Sequence, residues 1–487
     1  MNTIIAVEFV LYCLVILGIG FYFSRTDINH SSFLLGGKKL PGWTLAFSER
    51  ATGESAWLLL GYTGFVFTTG LSGIWVAAGI ALGIVFAWLF LAKKFMIERD
   101  KYDVLTLPDY LAVRFGAHAN LIRWLATILI SSFLMFYISA QMAGAGKMLF
   151  TTFGLNQTTG IILATVVIIV IAFTGGFISV VWTDMIQSIM MLITLVALPI
   201  VALFYINAND LSITTALTDA GNTHDAWFGG ATGFAIGVLF FNNFSWFFGF
   251  LGGQPQLSAR FMALKNEKEA NTASIVAIIW TILAYGGAFM IGITAITIYS
   301  QGSFGDVETI LPFMVMELMP PWIAGLLLSG ILAAIITTAD SQLLVVTSSV
   351  SEDILHKALG LNLSEKQLVR ASRIVIVVCG LIGMVIALVS ESLLYLVVSW
   401  AWAGVGCTLS PAIILTFFWK RYSGIGVVAT IISGFVFTAL WISTPLDTII
   451  TSRFTTFFIA AFFGIVFSLI FPDAKSSAKT SSKDAVI

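Results

Sequence analysis

Runs of about 20 mostly apolar residues, the length that crosses a bilayer as an α-helix, recur along the whole chain between short polar loops. We read thirteen such spans, starting near Ile4, Pro41, Leu71, Trp124, Thr159, Ile178, Ala231, Thr272, Ile323, Ile374, Leu393, Gly424 and Phe454. The first, Ile4 to Phe23, has neither a basic leader nor a small-residue cleavage site and is read as a retained span. Two spans depart from the pattern. The second, at Ser48-Glu-Arg-Ala-Thr-Gly-Glu-Ser55, and the seventh, from Gly249 to Pro255, interrupt apolar sequence with glycine, proline and polar groups. Unwound backbone at membrane depth survives only where protein, ion or water satisfies its amides and carbonyls. Such interruptions in corresponding positions of two halves point to a transporter's binding site. Their starts are separated by five spans, which predicts an inverted repeat of five plus five helices beginning near Pro41 and Ala231.

Composition removes the soluble alternative. Hydrophobic residues make up 58% and charged residues 10% of the 487 positions, and mean hydropathy is +0.98, whereas soluble chains carry about a quarter charged residues. Residues 1–472 therefore read as a single integral membrane domain and 473–487 as a short Ser/Lys-rich tail. A net charge of −1 gives nothing to attract nucleic acid. Cys13, Cys379 and Cys407 all fall inside apolar spans, where a thiol behaves as a small hydrophobe. The histidines, His30, His118, His224 and His356, stand at no ligand-like spacing, so no metal other than an alkali cation is expected.

Lysine and arginine gather on alternate loops. One set comprises Arg25, Lys38 and Lys39, then Lys93 to Arg123, then Arg260, Lys265 and Lys268. It continues with Lys357, Lys366, Arg370 and Arg373, with Lys420 and Arg421, and with the tail lysines. Only Lys147 and Arg453 fall on the other side, where Asp210, Asp219, Asp225, Asp306 and Glu308 lie. Because cytoplasmic loops carry the excess of Lys and Arg, the N-terminus is expected outside and the C-terminus in the cytoplasm of a bacterial plasma membrane. Within the largest basic loop, Pro108 and Asp109 mark the start of a short helix at the membrane surface.

Glu49, Arg50, Glu54, Asp184 and Asp340 are charges inside otherwise apolar spans. Each costs about 2.5–3.5 kcal/mol at mid-bilayer, which makes function the first reading. Arg50 and Glu54, at i and i+4, also suit a mutual ion pair. In the ninth span Ala334, Thr337, Thr338 and Ser341 stand at i, i+3, i+4 and i+7 on one helix face, small and hydroxyl-rich. Such hydroxyls serve as packing or back-bonding groups or as ligands to a hard cation that wants several oxygens. Carbonyls freed by a break near Gly53 would complete a low-charge cage.

Several stretches in fixed order carry a family resemblance: Phe33-Leu-Leu-Gly-Gly-Lys38, Trp57-Leu-Leu-Leu-Gly61, Leu105-Thr-Leu-Pro-Asp-Tyr110, Trp182-Thr-Asp-Met-Ile-Gln187, Gly253-Gln-Pro-Gln256 with Ala259-Arg-Phe-Met262, Pro321 to Ser329, and Ile331 to Val345 followed by Ser351-Glu-Asp353. Over nearly its whole length the chain resembles the sodium/solute symporter family, and within it the sodium/proline symporters. The resemblance implies an all-α transmembrane fold of thirteen helices with a LeuT-like core, and sodium-coupled inward movement of a small organic solute, with proline or a related amino acid in first place. It implies the main sodium site at the backbone of Ala51, Glu54 and Ala334 and the hydroxyls of Thr337 and Thr338. Asp184, with Asp340 and Ser341, matches the place of a second sodium ion or an ion exit. Ser55, Tyr137, Trp246 and Phe250 match the solute pocket, and Gln254 and Pro255 an inner-gate stretch. Sodium and the solute, within a lipid bilayer, are the partners it implies; it implies no cofactor beyond the coupling ion and leaves the oligomeric state open.

Two departures touch the contacts. Sodium/proline symporters place an aspartate where this chain has Gly53, and here a carboxylate follows one residue later at Glu54. The aromatic stretch before Gln254 carries one extra residue, so Phe250 stands for the family's tyrosine. Arg50 has no counterpart among proline carriers and suggests an anionic group on the solute, which keeps organic anions and sugars as alternatives. Of other classes, a sodium-dependent sensor would keep the same fold without transport. A channel would need a continuous polar pore, and no loop offers the nucleophile, base and orienting group of an enzyme.

Overall fold

The computed structural model describes residues 3–24, 35–38, 40–174, 176–221, 223–390 and 392–473. Arg25, His30, Lys39, Phe33, Leu34 and the tail lysines lie outside the described residues, as does the tail beyond Asp473. The described residues form helices and connecting turns, with no strand among them. The helices that organise the site are α1 (Thr3–Ser24), α2 (Gly42–Ala56), α3 (Ile74–Phe86), α4 (Leu107–Arg114), α5 (Ala119–Phe153), α6 (Gln157–Thr174) and α7 (Phe177–Ala208). They continue with α8 (Phe234–Phe244), α9 (Pro255–Met262), α10 (Glu267–Ile298), α11 (Pro321–Ser348), α12 (Glu365–Val389), α13 (Leu394–Trp402), α14 (Gly424–Ile442) and α15 (Ser452–Ile470).

Eleven helical stretches among the described residues are long and apolar enough to cross a membrane, against thirteen expected. The starts without a stretch of their own are Leu71, which falls inside a 61-residue helical run from Gly42 to Tyr102, and Ala231, whose apolar helix Phe234–Gly249 is too short to cross alone.

Burial separates centre from rim. In its most apolar window the stretch Pro321–Ala358 is 83% buried in protein, whereas Thr3–Tyr22 and Ser452–Ile470 are each 28% buried and turn most of their surface outward. The central helix α11 packs against α2, α5 and α7. Close approach depends on glycine: a methyl at Gly330 on α11 would run into the Met190 carbonyl of α7, and one at Gly287 on α10 into the Leu195 carbonyl. Small residues let membrane helices gain dispersion contacts where lipid offers no hydrophobic drive.

Charges expected in loops are drawn inward. Pro108 sits in the first turn of α4 with Thr106 as its N-cap, accepting from Asp109 N at 3.1 Å. Most of that helix is buried against the rest of the protein: Asp109 pairs with Arg123 at 2.8 Å and with Lys357 at 2.5 Å. Thr106 Oγ1 donates to Asp353 at 2.7 Å, so α4 is tied to the segment that follows α11. On the opposite face Glu308 takes Lys147 at 2.5 Å and the amides of Leu394 and Tyr395 at 3.0 and 2.8 Å, anchoring the start of α13. A carboxylate at a helix N-terminus meets both free N–H groups and a favourable dipole.

Candidate functional site

The break in α2 is at Ser55, with φ 54° and ψ −175°, while Gly53 remains helical. A non-glycine residue in that region costs about 1–3 kcal/mol and persists only where its surroundings impose it. Here they do. The freed amides of Ala56 and Trp57 are taken by Gln141 Oε1 and Ser55 Oγ, each at 3.0 Å, and Trp57 N also reaches Glu54 O. The expected break near Gly53 is thus displaced by two residues, because side chains on α2 itself and on α5, not glycine's freedom, satisfy the opened backbone. A second break follows Gly249: residues 250–254 leave the helix, Gly252 has φ 86°, and α9 restarts with Pro255 in its first turn.

The hydroxyl face of α11 meets α2 just before the break. Thr337 Oγ1 lies 3.2 Å from both Ala51 O and Ala334 O, and Thr338 Oγ1 lies 3.1 Å from Thr52 O and 3.5 Å from Ala51 O. All are fully buried. Of the five expected sodium ligands, the structure brings Ala51, Ala334, Thr337 and Thr338 together; the Glu54 carbonyl stands one turn on and already accepts from Trp57. The Thr52 carbonyl, absent from the expected set, belongs with them.

Thr52 also opens onto a charged cluster. Its hydroxyl is 3.1 Å from Ser341 Oγ and 3.4 Å from Asp184 Oδ2. Asp184 Oδ2 accepts from Ser48 at 2.6 Å and from Arg260 at 3.1 Å, and Arg260 donates to Ser341 at 2.6 Å and to Ser48 at 3.1 Å. Asp340, fully buried, adds a second carboxylate within electrostatic reach of Asp184. Arg260 is the residue that sequence reasoning misplaced. Counted with the loop cations, it is 1% exposed and turned inward from α9. Its position three residues before a polar loop hid it, and only the unmatched Asp184 signalled that a cation was needed. From one side of the molecule a narrow cleft bordered by Thr106, Pro108, Pro255, Ala259, Arg260 and Ser348 leads to this cluster.

Arg50 is corrected as well. It donates to both Glu49 oxygens, at 2.6 Å from Nε, and to Glu54 Oε1 at 2.6 Å from NH1; Trp88 Nε1 reaches Glu49 at 2.9 Å, and the Tyr285 hydroxyl bonds Glu54. With two carboxylates on its guanidinium Arg50 is already paired, so it is not the residue that would meet an anionic group on the solute.

Four of the six expected solute contacts form one cluster beside the break. Tyr137 Oη is 3.2 Å from Ser55 Oγ; Trp246 and Phe250 stand with ring centroids 4.3 Å from Trp57 and Trp402 respectively. Trp57 and Trp402 join this cluster and were not singled out by sequence reasoning, since an aromatic in an apolar span gives no sign of which way it faces. Buried Trp57 Nε1 and Gln141 Nε2 have no hydrogen-bond partner among the described residues. Gln254 and Pro255 sit apart, Gln254 bonded to Gln256 at 2.9 Å and Pro255 on the cleft.

Two broken helices, buried oxygens at one break and an aromatic cluster at the other make a transporter's centre, and comparison with known proteins agrees. The model of the sodium:solute symporter family matches residues 33–434. The high-affinity proline transporter of Bacillus subtilis is 33% identical over 432 residues, 88% of this chain and 90% of that protein. The sodium/proline symporter of Escherichia coli is 30% identical over 447 residues, 90% of this chain and 88% of its own. Among solved structures, a substrate-bound outward-open state of a Na+-coupled sialic acid symporter superposes with a TM-score of 0.79 at 20% identity, covering 96% of this chain and 98% of that one. MhsT in complex with L-phenylalanine gives 0.56 at 16% identity, covering 88% and 97%. These two likenesses show the fold, an all-α transmembrane bundle of the LeuT-like class. With a family model matched along most of its length and proline-carrier relatives spanning nearly all of it, the chain belongs to the sodium:solute symporter family.

Proposed function

We propose that this chain is a sodium-coupled carrier that moves proline, or a closely related amino acid, into the cell. The observation that carries the reading is the placement of the Thr337 and Thr338 hydroxyls against the Ala51 and Thr52 carbonyls, on a helix broken at Ser55. Neutral oxygens from two helices suit a hard monovalent cation, which draws the broken helix against α11 when it enters. The ligands assigned to it are the carbonyls of Ala51, Thr52 and Ala334 and the hydroxyls of Thr337 and Thr338, with the Glu54 carbonyl, which also accepts from Trp57 N, one turn on. The solute then closes on Ser55, Tyr137, Trp246 and Phe250, with its ring on apolar walls and its ammonium over aromatic faces. Two carboxylates, Asp184 and Asp340, against one guanidinium leave the neighbouring cluster a negative charge in excess if all are ionised, which suits a second cation or an ion on its way out; Ser341 shares that site.

Each ligand raises the affinity for the other by the same factor, and the two repeats rock about the site to alternate access. One sodium per solute suffices: about 100 mV supplies about 2.3 kcal/mol and a tenfold gradient about 1.4 kcal/mol, together enough to concentrate a neutral solute several hundredfold. In this reading the run 42–102 doubles back at Gly70 and residues 234–262 complete a broken crossing, giving thirteen spans in one domain to residue 472. The N-terminus lies outside and the C-terminus in the cytoplasm. Uptake of labelled proline by proteoliposomes, with sodium replaced by potassium, tests the proposal. The expected result is accumulation only in sodium, with counterflow of label; equal uptake in both salts overturns the coupling, and no uptake of any amino acid overturns the solute.

A further inference from the structure

A basic surface outside the proposed sodium and solute contacts lies at the start of α12. This helix begins with a capping box, Ser364 with Gln367, and carries Lys366, Arg370 and Arg373 at i, i+4 and i+7, hence on one face. The placement is electrostatically unfavourable. Lys366 falls in the first turn, where the helix N-terminus already holds about half a positive charge, and Arg370 and Arg373 follow on the same face, so the three cations repel one another. None of the three is in an ion pair among the described residues. Among the described residues Glu365 is the one carboxylate lining the same crevice, against Lys366, Arg370 and Arg373.

The crevice is built between α12 and the end of α6. Arg373 lies over the Phe173 ring, 5.1 Å from its centroid, and its Nε is buried without a hydrogen-bond partner among the described residues. Gly380 abuts Ile169, so the two helices run antiparallel away from the Phe173–Arg373 end. Along that direction the outward surface is apolar: Val170 and Val166 on α6 are 42% and 55% exposed, and Ile374 and Val378 on α12 are 57% and 48% exposed. A cationic mouth over an apolar ridge has the polarity of a phospholipid, phosphate at one end and acyl chain along the other.

We propose that this crevice binds an anionic phospholipid of the surrounding bilayer, with the headgroup phosphate on Lys366, Arg370 and Arg373 and an acyl chain along the Val170 and Ile374 flank. Basic pockets between transmembrane helices hold lipid headgroups through the same charge complementarity, and a phosphate accepts bidentate hydrogen bonds from arginine.

The test uses the full chain in mild detergent, with dioleoyl phosphatidylglycerol and dioleoyl phosphatidylcholine titrated separately and bound lipid counted by native mass spectrometry. The first phosphatidylglycerol is expected to bind at least about tenfold more tightly than phosphatidylcholine. Combined K366Q, R370Q and R373Q should abolish that preference, and R373Q alone, kept in case the triple variant does not fold, should cut it about threefold. An unchanged preference in either variant overturns the proposal. So does an equal loss in the control K420Q/R421Q, which would mean diffuse surface charge. Displacement of phosphatidylglycerol by millimolar inorganic phosphate would overturn the lipid assignment in favour of a soluble anion.

Discussion

Two polar centres flank Thr52, and they are built on opposite principles. On one side the Ala51 and Thr52 carbonyls face Thr337 and Thr338 with no formal charge. On the other, Asp184, Asp340 and Arg260 are all buried within a network that includes Ser48 and Ser341. Neutral oxygens cost little to bury when they are hydrogen-bonded. Charges are costly to bury, and once buried they make the structure depend on their partners. Thr52 belongs to both, its carbonyl to the first and its hydroxyl to the second. In the proposed reading, Thr52 is the residue through which an ion on one side would be felt on the other.

The largest effect should come from the charged centre. Arg260→Gln leaves Asp184 buried without its cation and is expected to lower stability by about 3–5 kcal/mol, read as the melting midpoint in detergent; Asp184→Asn in the same chain should restore much of the loss. A neutral single variant would break the contrast. In the uncharged centre, Thr338→Ala should raise the sodium concentration for half-maximal uptake by about 10- to 100-fold while membrane insertion is retained and stability falls by only about 1 kcal/mol. An unchanged sodium requirement would remove that hydroxyl from the site.

The shared residue is intermediate. Thr52→Val keeps the carbonyl and removes the hydroxyl, so a cost of about 1 kcal/mol is expected, together with a shift in sodium affinity below about tenfold. If sodium binding to this variant is unaltered, the two centres act independently. The smallest effect is expected at Gly53, where an added Cβ would meet Leu257 at 3.4 Å, ordinary contact, and Arg50 at 3.6 Å. Because Gly53 is helical, Gly53→Ala should change stability by less than about 1 kcal/mol, in the stabilising direction. A large loss in thermal melting would return the break to Gly53.

Much of the architecture is legible along the chain because it is local. Hydrophobic length defines spans, and the 3.6-residue period places Ala334, Thr337, Thr338 and Ser341 on one face before any neighbour is known. Glycine and proline between Gly249 and Pro255 announce the second break, since the constraint lies in those residues' own backbones. The short helix after Pro108 is announced in the same way, but its burial is not.

What remained hidden depends on partners distant in sequence. Arg260 and Asp184 are separated by 76 residues, and nothing within either segment says that a cation beside a polar loop will turn inward to meet that carboxylate. Ser55 adopts a conformation that its own chemistry disfavours, held by Gln141 and Tyr137 from α5. Arg50 could serve a solute or its neighbours equally well by sequence; Trp88 and Tyr285, donating to the flanking Glu49 and Glu54, complete the network that claims it. The sequence alone therefore determined a charge-poor, many-spanning helical protein with a hydroxyl face and two interrupted spans, because periodicity and backbone propensity are properties of neighbours along the chain. Only the tertiary structure decided where α2 opens and which buried charges are already taken, because a buried charge or a strained φ is set by the groups packed around it.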